Sequence, residues 1–135
     1  MKKGLRTRET KQRRVVYDTV KDTKSHPTAD WIFEKVRRKL PKVSLGTVYR
    51  NLGVLKDEGL VRELYGNDRR ARFDADMSSH AHFICMNCDQ IIDVRGIKAI
   101  EWRTLKDLVG CEVEDQEILF GGRCPACREN GDGSR

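Results

Sequence analysis

The chain is 135 residues long, 38% hydrophobic and 36% charged, with a formal net charge of +6. That length holds one domain or two small ones with a buried core. No apolar run reaches the ~18 residues that a membrane-spanning helix needs, so no such helix is expected. The opening stretch MKKGLRTRETKQRR has no apolar centre of the kind a secretion signal carries, so a cytoplasmic protein with reduced thiols is expected.

Charge is unevenly spread. Residues 1–75 carry 20 Lys/Arg against 10 Asp/Glu, a net +10, whereas residues 76–135 carry 7 against 11, a net −4. A basic half joined to an acidic half rich in metal-ligand residues reads as a nucleic-acid reader attached to a regulatory module.

In chain order, Val15, Val16 and Val20 stand at helical spacing from about Thr10 to Lys24, with Thr10 as an expected N-cap. Ser25-His26-Pro27 breaks that helix. Thr28 caps a second, to about Leu40, with an apolar stripe of Ile32, Phe33, Val36 and Leu40, and Pro41 ends it. Ser44 caps a third, with Leu45, Val48, Leu52 and Leu55 facing inward and Gly59 as terminator. Its open face is expected to show Thr47, Tyr49, Arg50, Asn51 and Lys56. Three short helices in this order fit a helix-turn-helix whose third member reads DNA. Val61–Tyr65 and Arg70–Asp74 then read as a hairpin, the wing of a winged helix, with Arg69, Arg70 and Arg72 at or near its tip for phosphate contacts. The DNA-binding set is thus Ser44, Thr47, Tyr49, Arg50, Asn51, Arg69 and Arg70.

Ala75–Ser79 is small and polar and reads as a hinge. His80–Cys85 and Gln90–Val94 read as strands around a CxxC turn. Ile97, Ile100, Leu105, Leu108 and Val109 mark a helix ended near Gly110, and Glu112–Phe120 reads as a third strand. A three-stranded sheet under one helix cannot hide both faces, so a homodimer is expected. The expected organisation is α+β: a winged helix over 1–74, a hinge over 75–79, a small α/β dimerisation and metal-sensing domain over 80–128, and a disordered tail over 129–135.

Cys85 and Cys88 form one CxxC, and Cys124 and Cys127 a second. Four thiolates in this pattern suit a closed tetrahedral zinc site; a disulfide or thiol redox switch is the alternative. Cys111 has no partner and is expected to be a small buried apolar residue. His80 and His82 stand two apart, which on a strand points both imidazoles the same way and offers two nitrogen ligands. Trp31 and Trp102 read as packing residues.

The segments TKQR, HPTADWIF, SLGTVYRNLGVLKDEGLV, RFD, HAHFICMNCDQIID and CPAC, in this order and spacing from Arg8 to Cys127, resemble the ferric uptake regulator family of metal-dependent bacterial transcription factors. The resemblance implies a winged-helix domain, a dimerisation domain, and a regulatory metal held by His26, Asp74, His80, His82 and Asp93. Aspartates at both acidic positions resemble the peroxide-sensing branch of that family. There, bound ferrous iron brings about oxidation of a histidine ligand, and His26 and His80 are the candidates here. The ligand set suits iron, manganese or zinc. The expected cofactors are structural Zn2+ and regulatory Fe2+ or Mn2+, the partners a DNA operator and a second copy, with peroxide the one small molecule involved. The region before TKQR is shorter than in the family, leaving Lys2, Lys3, Arg6 and Arg8 as a basic arm. No histidine occurs in Glu112–Phe120, so two metals per chain is the expected ceiling. A sensor of iron, zinc or manganese availability is the alternative function. A zinc hydrolase, without a general base or an HExxH segment, and a DNA-packaging protein are remoter.

Overall fold

The computed structural model describes residues 8–78 and 80–129. The chain divides into two compact units, Met1–Met77 and Ser78–Arg135. The basic arm at Lys2, Lys3 and Arg6 lies outside the described residues, as does the expected tail beyond Glu129.

The first unit is three helices and a hairpin. Helix α1 runs Arg8–Lys21, α2 Ala29–Val36 and α3 Leu45–Asp57. Helix α1 starts before Thr10, which therefore lies inside it instead of capping it; Arg8 and Glu9 are good helix formers that extend the turn. Thr28 caps α2 by accepting from the Trp31 backbone N–H. Helix α2 ends four residues before Leu40, and the chain closes in turns, with Leu40 N–H donating to Val36 O. Pro41 disfavours helical geometry at the residue before it, which helps to end the regular helix early.

Ser44 caps α3 by accepting from Thr47 N–H at 3.1 Å. At its other end Gly59 sits at φ +76, with Gly59 N–H bonded to Lys56 O and Leu60 N–H to Leu55 O. This is a Schellman closure, and its left-handed residue is the reason a glycine stands there. Val16, Val20, Ile32, Val36, Val48, Leu52 and Leu55 are among the buried side chains where the three helices meet, joined by Phe73 from the hairpin. Strands β1 (Arg62–Tyr65) and β2 (Ala71–Asp74) pair antiparallel, Arg62 opposite Asp74 and Tyr65 opposite Ala71. Helix-turn-helix plus hairpin is the winged helix the sequence leads one to expect.

The second unit carries a three-stranded sheet in the order β4-β3-β5. Strand β3 is Ala81–Cys85, β4 Ile91–Val94 and β5 Leu119–Gly122, followed by a short helix α4, Pro125–Glu129. Central β3 pairs antiparallel with β4 and parallel with β5. Glu129 is thus the end of a helix and not the start of a tail.

Two expected elements differ. The stretch Ile97–Val109 holds only two single 3-10 turns, Trp102–Thr104 and Lys106–Leu108. Ile100, Leu105 and Val109 are exposed, so the apolar stripe has no surface in this chain to pack on. A segment this short is marginal as an unpacked helix. Strand β5 begins at Leu119 and not at Glu112, since the preceding Glu112, Glu114, Asp115 and Glu117 are poor strand formers. Cys111 is exposed, contrary to expectation, because it follows this unpacked stretch. No helix among the described residues is long and apolar enough to cross a membrane.

Candidate metal centres and nucleic-acid face

The four paired cysteines meet. Cys85 ends β3, Cys88 lies in the following turn, Cys124 precedes α4 and Cys127 lies in it. One sulfur from each falls within 4.8 Å of the others. All are free thiols, and Cys88 and Cys124 sulfurs are 3.8 Å apart, far beyond the ~2.05 Å of a disulfide. The Cys88 and Cys124 backbone N–H groups both donate to Cys85 Sγ at 3.4 Å, and Asn87 Nδ2 donates to Cys127 Sγ at 3.2 Å. Burial pushes the Cys85 thiol up, yet those backbone donors outweigh it and hold it down at about 6. At Cys88 the Gln90 backbone favours the thiolate, but burial and the three neighbouring sulfurs push the thiol up to about 12. A cluster that yields one proton readily and resists losing more is what a divalent cation relieves. Four sulfurs around one centre fit zinc.

The His and Asp residues are positioned within each unit by strands. In the first unit His26, only 2% exposed, lies between α1 and α2 with φ +54, and its Nε2 is 3.6 Å from Asp74 Oδ2 at the end of β2. Asp74 Oδ1 accepts from Asp76 N–H at 2.9 Å. In the second unit His82 lies in β3 directly opposite Asp93 in β4, and His80 stands just before β3. The two-residue spacing does put both imidazoles on one side: their centroids are 4.6 Å apart. Nε2 of His80 and Nε2 of His82 lie 3.2 Å and 3.3 Å from the same oxygen, Asp93 Oδ1. Arg95 donates to Asp93 Oδ2 at 3.3 Å, which turns the other oxygen toward the histidines.

His80 Nδ1 is 2.8 Å from Ser78 O. A carbonyl only accepts, so Nδ1 carries a proton and Nε2, which faces Asp93, is the nitrogen placed to bind an ion. With His82 Nε2 and the Asp93 carboxylate beside it, this nitrogen/oxygen set fits a divalent metal of borderline hardness.

The residues expected to face DNA differ in exposure. Arg50 is exposed on α3 and Tyr49 is half exposed, while Arg69 and Arg70 are exposed in the wing turn. Ser44 Oγ and Thr47 Oγ1 bond each other at 3.0 Å at the entrance to α3. Asn51, in contrast, is 1% exposed. It accepts from Arg13 Nε at 3.2 Å and donates to Thr47 O at 3.0 Å, so it belongs to the inner face. Arg72 is half-buried in β2, away from the wing tip, and its Nη1 donates to His26 O at 3.1 Å. Arg13 and Arg72 were not assigned these roles from sequence: a long side chain can reach many partners, and no spacing rule singles out a bond across 38 or 46 residues.

The sequence profile of the ferric uptake regulator family matches residues 2–118. The chain is 35% identical over 131 residues to the peroxide-responsive repressor PerR of Staphylococcus epidermidis, covering 96% of this chain and 86% of that one. It is 36% identical over 122 residues to the peroxide operon regulator of Bacillus subtilis, covering 89% and 83%. Among solved structures, the Campylobacter jejuni peroxide stress regulator superposes with a TM-score of 0.71 at 25% identity, over 88% of this chain and 90% of that one.

Proposed function

The chain belongs to the ferric uptake regulator family, and from that premise we propose that it is a dimeric, metal-dependent DNA-binding repressor that senses hydrogen peroxide in the cytoplasm. The observation that carries this reading is the convergence of His80 and His82 on Asp93, in a chain similar to two peroxide-named regulators. It is a regulator and not an enzyme, which retires the zinc-hydrolase alternative. Cys85, Cys88, Cys124 and Cys127 hold the structural zinc. For the regulatory ion, iron or manganese, the family resemblance implies His26 and Asp74 in the DNA-binding part (1–74) and His80, His82 and Asp93 in the dimerisation part (80–128) as ligands, with residues 75–79 as the connecting segment.

Ferrous iron, once held by these residues, would supply the redox chemistry that activates hydrogen peroxide beside its ligands, giving up an electron and regaining it so that the two-electron change falls on histidine alone. The net change adds one peroxide oxygen to an imidazole carbon of His26 or His80, and the other oxygen leaves as water. A ligand so altered holds its ion less well, and the population shifts away from the DNA-binding conformation. Arg50 and Tyr49 read bases, Ser44 and Thr47 flank the helix entrance, and Arg69 and Arg70 contact phosphates. Exposed Ile100, Leu105, Val109, Leu119 and Phe120 support burial against a second copy.

The test is anaerobic loading with ferrous iron, a brief peroxide pulse, and peptide mass spectrometry, with manganese-loaded protein as control. One added oxygen on His26 or His80 in the iron sample alone, with loss of operator binding, is the expected result. Unmodified histidines with intact DNA binding would move the function to metal-availability sensing.

A further inference from the structure

His26 is a strained position. It precedes a proline, which already narrows its backbone choices, yet it sits at φ +54, a region that residues with a Cβ seldom occupy. It is also almost wholly buried. Such a conformation persists only where its surroundings fix it.

Strand β2 does so with three consecutive residues. Arg72 Nη1 donates to His26 O at 3.1 Å. The Phe73 backbone N–H donates to Pro27 O at 2.9 Å. Asp74 sets its carboxylate 3.6 Å from His26 Nε2. Because side chains alternate along a strand, Arg72 and Asp74 project to the same side. One therefore grips the His26 backbone while the other faces its ring.

We propose that Arg72 is a positioning residue for the regulatory metal: it holds the His26 carbonyl so that the imidazole is preset beside Asp74. This rests on the reading of His26 as a ligand. Arg72 belongs to the wing hairpin, so the same bond ties the metal-ligand loop to an element that faces DNA. Residues that orient metal ligands without touching the ion commonly change affinity by about 10–100-fold when replaced.

The experiment measures Mn2+ affinity of the zinc-loaded full chain by competition with a fluorescent chelator. It compares the native chain with R72M, R72K, H26A and the doubles R72M/H26A and R72K/H26A, checking zinc content and thermal unfolding for each. R72M should bind Mn2+ about 10-fold or more weakly, with zinc retained. R72K, which keeps a donor but not the reach, should fall between R72M and the native chain. Once His26 is absent, either Arg72 change should have no further effect on affinity, a non-additivity that a purely structural role would not produce. Should R72M not fold, the R72K pair carries the same cycle. Mn2+ affinity unchanged by Arg72 replacement but weakened in H26A, or an Arg72 effect that persists at full size in the H26A background, would overturn the positioning role and leave the metal reading intact. Affinity unchanged in H26A as well would overturn both.

Discussion

Asn51 shows how a single residue changes sides. Its neighbours Val48, Leu52 and Leu55 are buried, and position 51, three after 48 and four before 55, falls on the same stripe of the helix. Helical spacing alone places position 51 inward, whereas an amide side chain more often faces solvent. Once inside, the amide has two fixed partners, Arg13 and the Thr47 carbonyl, so it joins α1 to α3. Replacing it with alanine leaves the Arg13 Nε–H without its acceptor in a half-buried setting. Asn51→Ala should therefore lower stability by about 1–3 kcal/mol in urea unfolding. A loss below about 0.3 kcal/mol would mean that water replaces the amide without cost. The shared direction of the His80 and His82 side chains was legible for the opposite reason. Strand alternation is rigid, so a two-residue spacing fixes direction, whereas His26, Asp74 and Asp93 are singled out only by the family resemblance.

At the scale of elements, the caps carried the reading. Thr28, Ser44 and Gly59 mark the start or end of a helix through bonds that their own chemistry dictates. The stretch Ile97–Val109 has the periodicity of a helix but ends no buried surface, and periodicity without a partner did not suffice. The wing is tied to α3 by a contact between elements that sequence does not announce. Lys56 Nζ lies 2.6 Å from Glu63 Oε1, and Tyr65 Oη donates to Glu63 Oε2 at 2.8 Å. The Lys56 ammonium beside Glu63 holds its carboxyl below the usual value of 4.5, and hydrogen bonding to Glu63 raises Lys56 above 10.5. A depressed acid contributes stability that is present above its ordinary value and is lost as pH falls through the lowered one. A raised lysine contributes below its ordinary value, and that part fades as pH climbs through the raised one. The contact is half exposed, so its worth at neutral pH is about 0.5 kcal/mol. Glu63→Gln should accordingly unfold at a lower temperature than the native chain at pH 7, and the gap should narrow as pH falls below 4.5. A gap that persists in acid would assign the difference to packing and not to charge.

For the whole molecule, the two units are stabilised in different ways, and composition hinted at it. The first has an apolar core shared by three helices and the hairpin, as its regular stripes imply. In the second, the buried cluster around the paired CxxC turns consists of Cys85, Cys124 and Cys127 with Phe83 against them, and Ala81, Ile84 and Ile91 are the other buried apolar side chains among the described residues. A sheet whose described interior centres on four thiolates is expected to depend on the ion they hold, since zinc binding energy is then folding energy. Two metals per chain should be found by elemental analysis of the fully loaded protein, one of them zinc that survives mild chelation. Stripping that zinc under reducing conditions should abolish amide hydrogen-exchange protection across β3 and β4. Protection in α1 and α3 should persist, because their core contains none of the zinc ligands. Helical far-UV signal should fall only slightly for the same reason. Uniform loss of protection in both units would mean that they fold as one cooperative body, and retained protection in β3 would show that the sheet stands without the thiolate-bound ion.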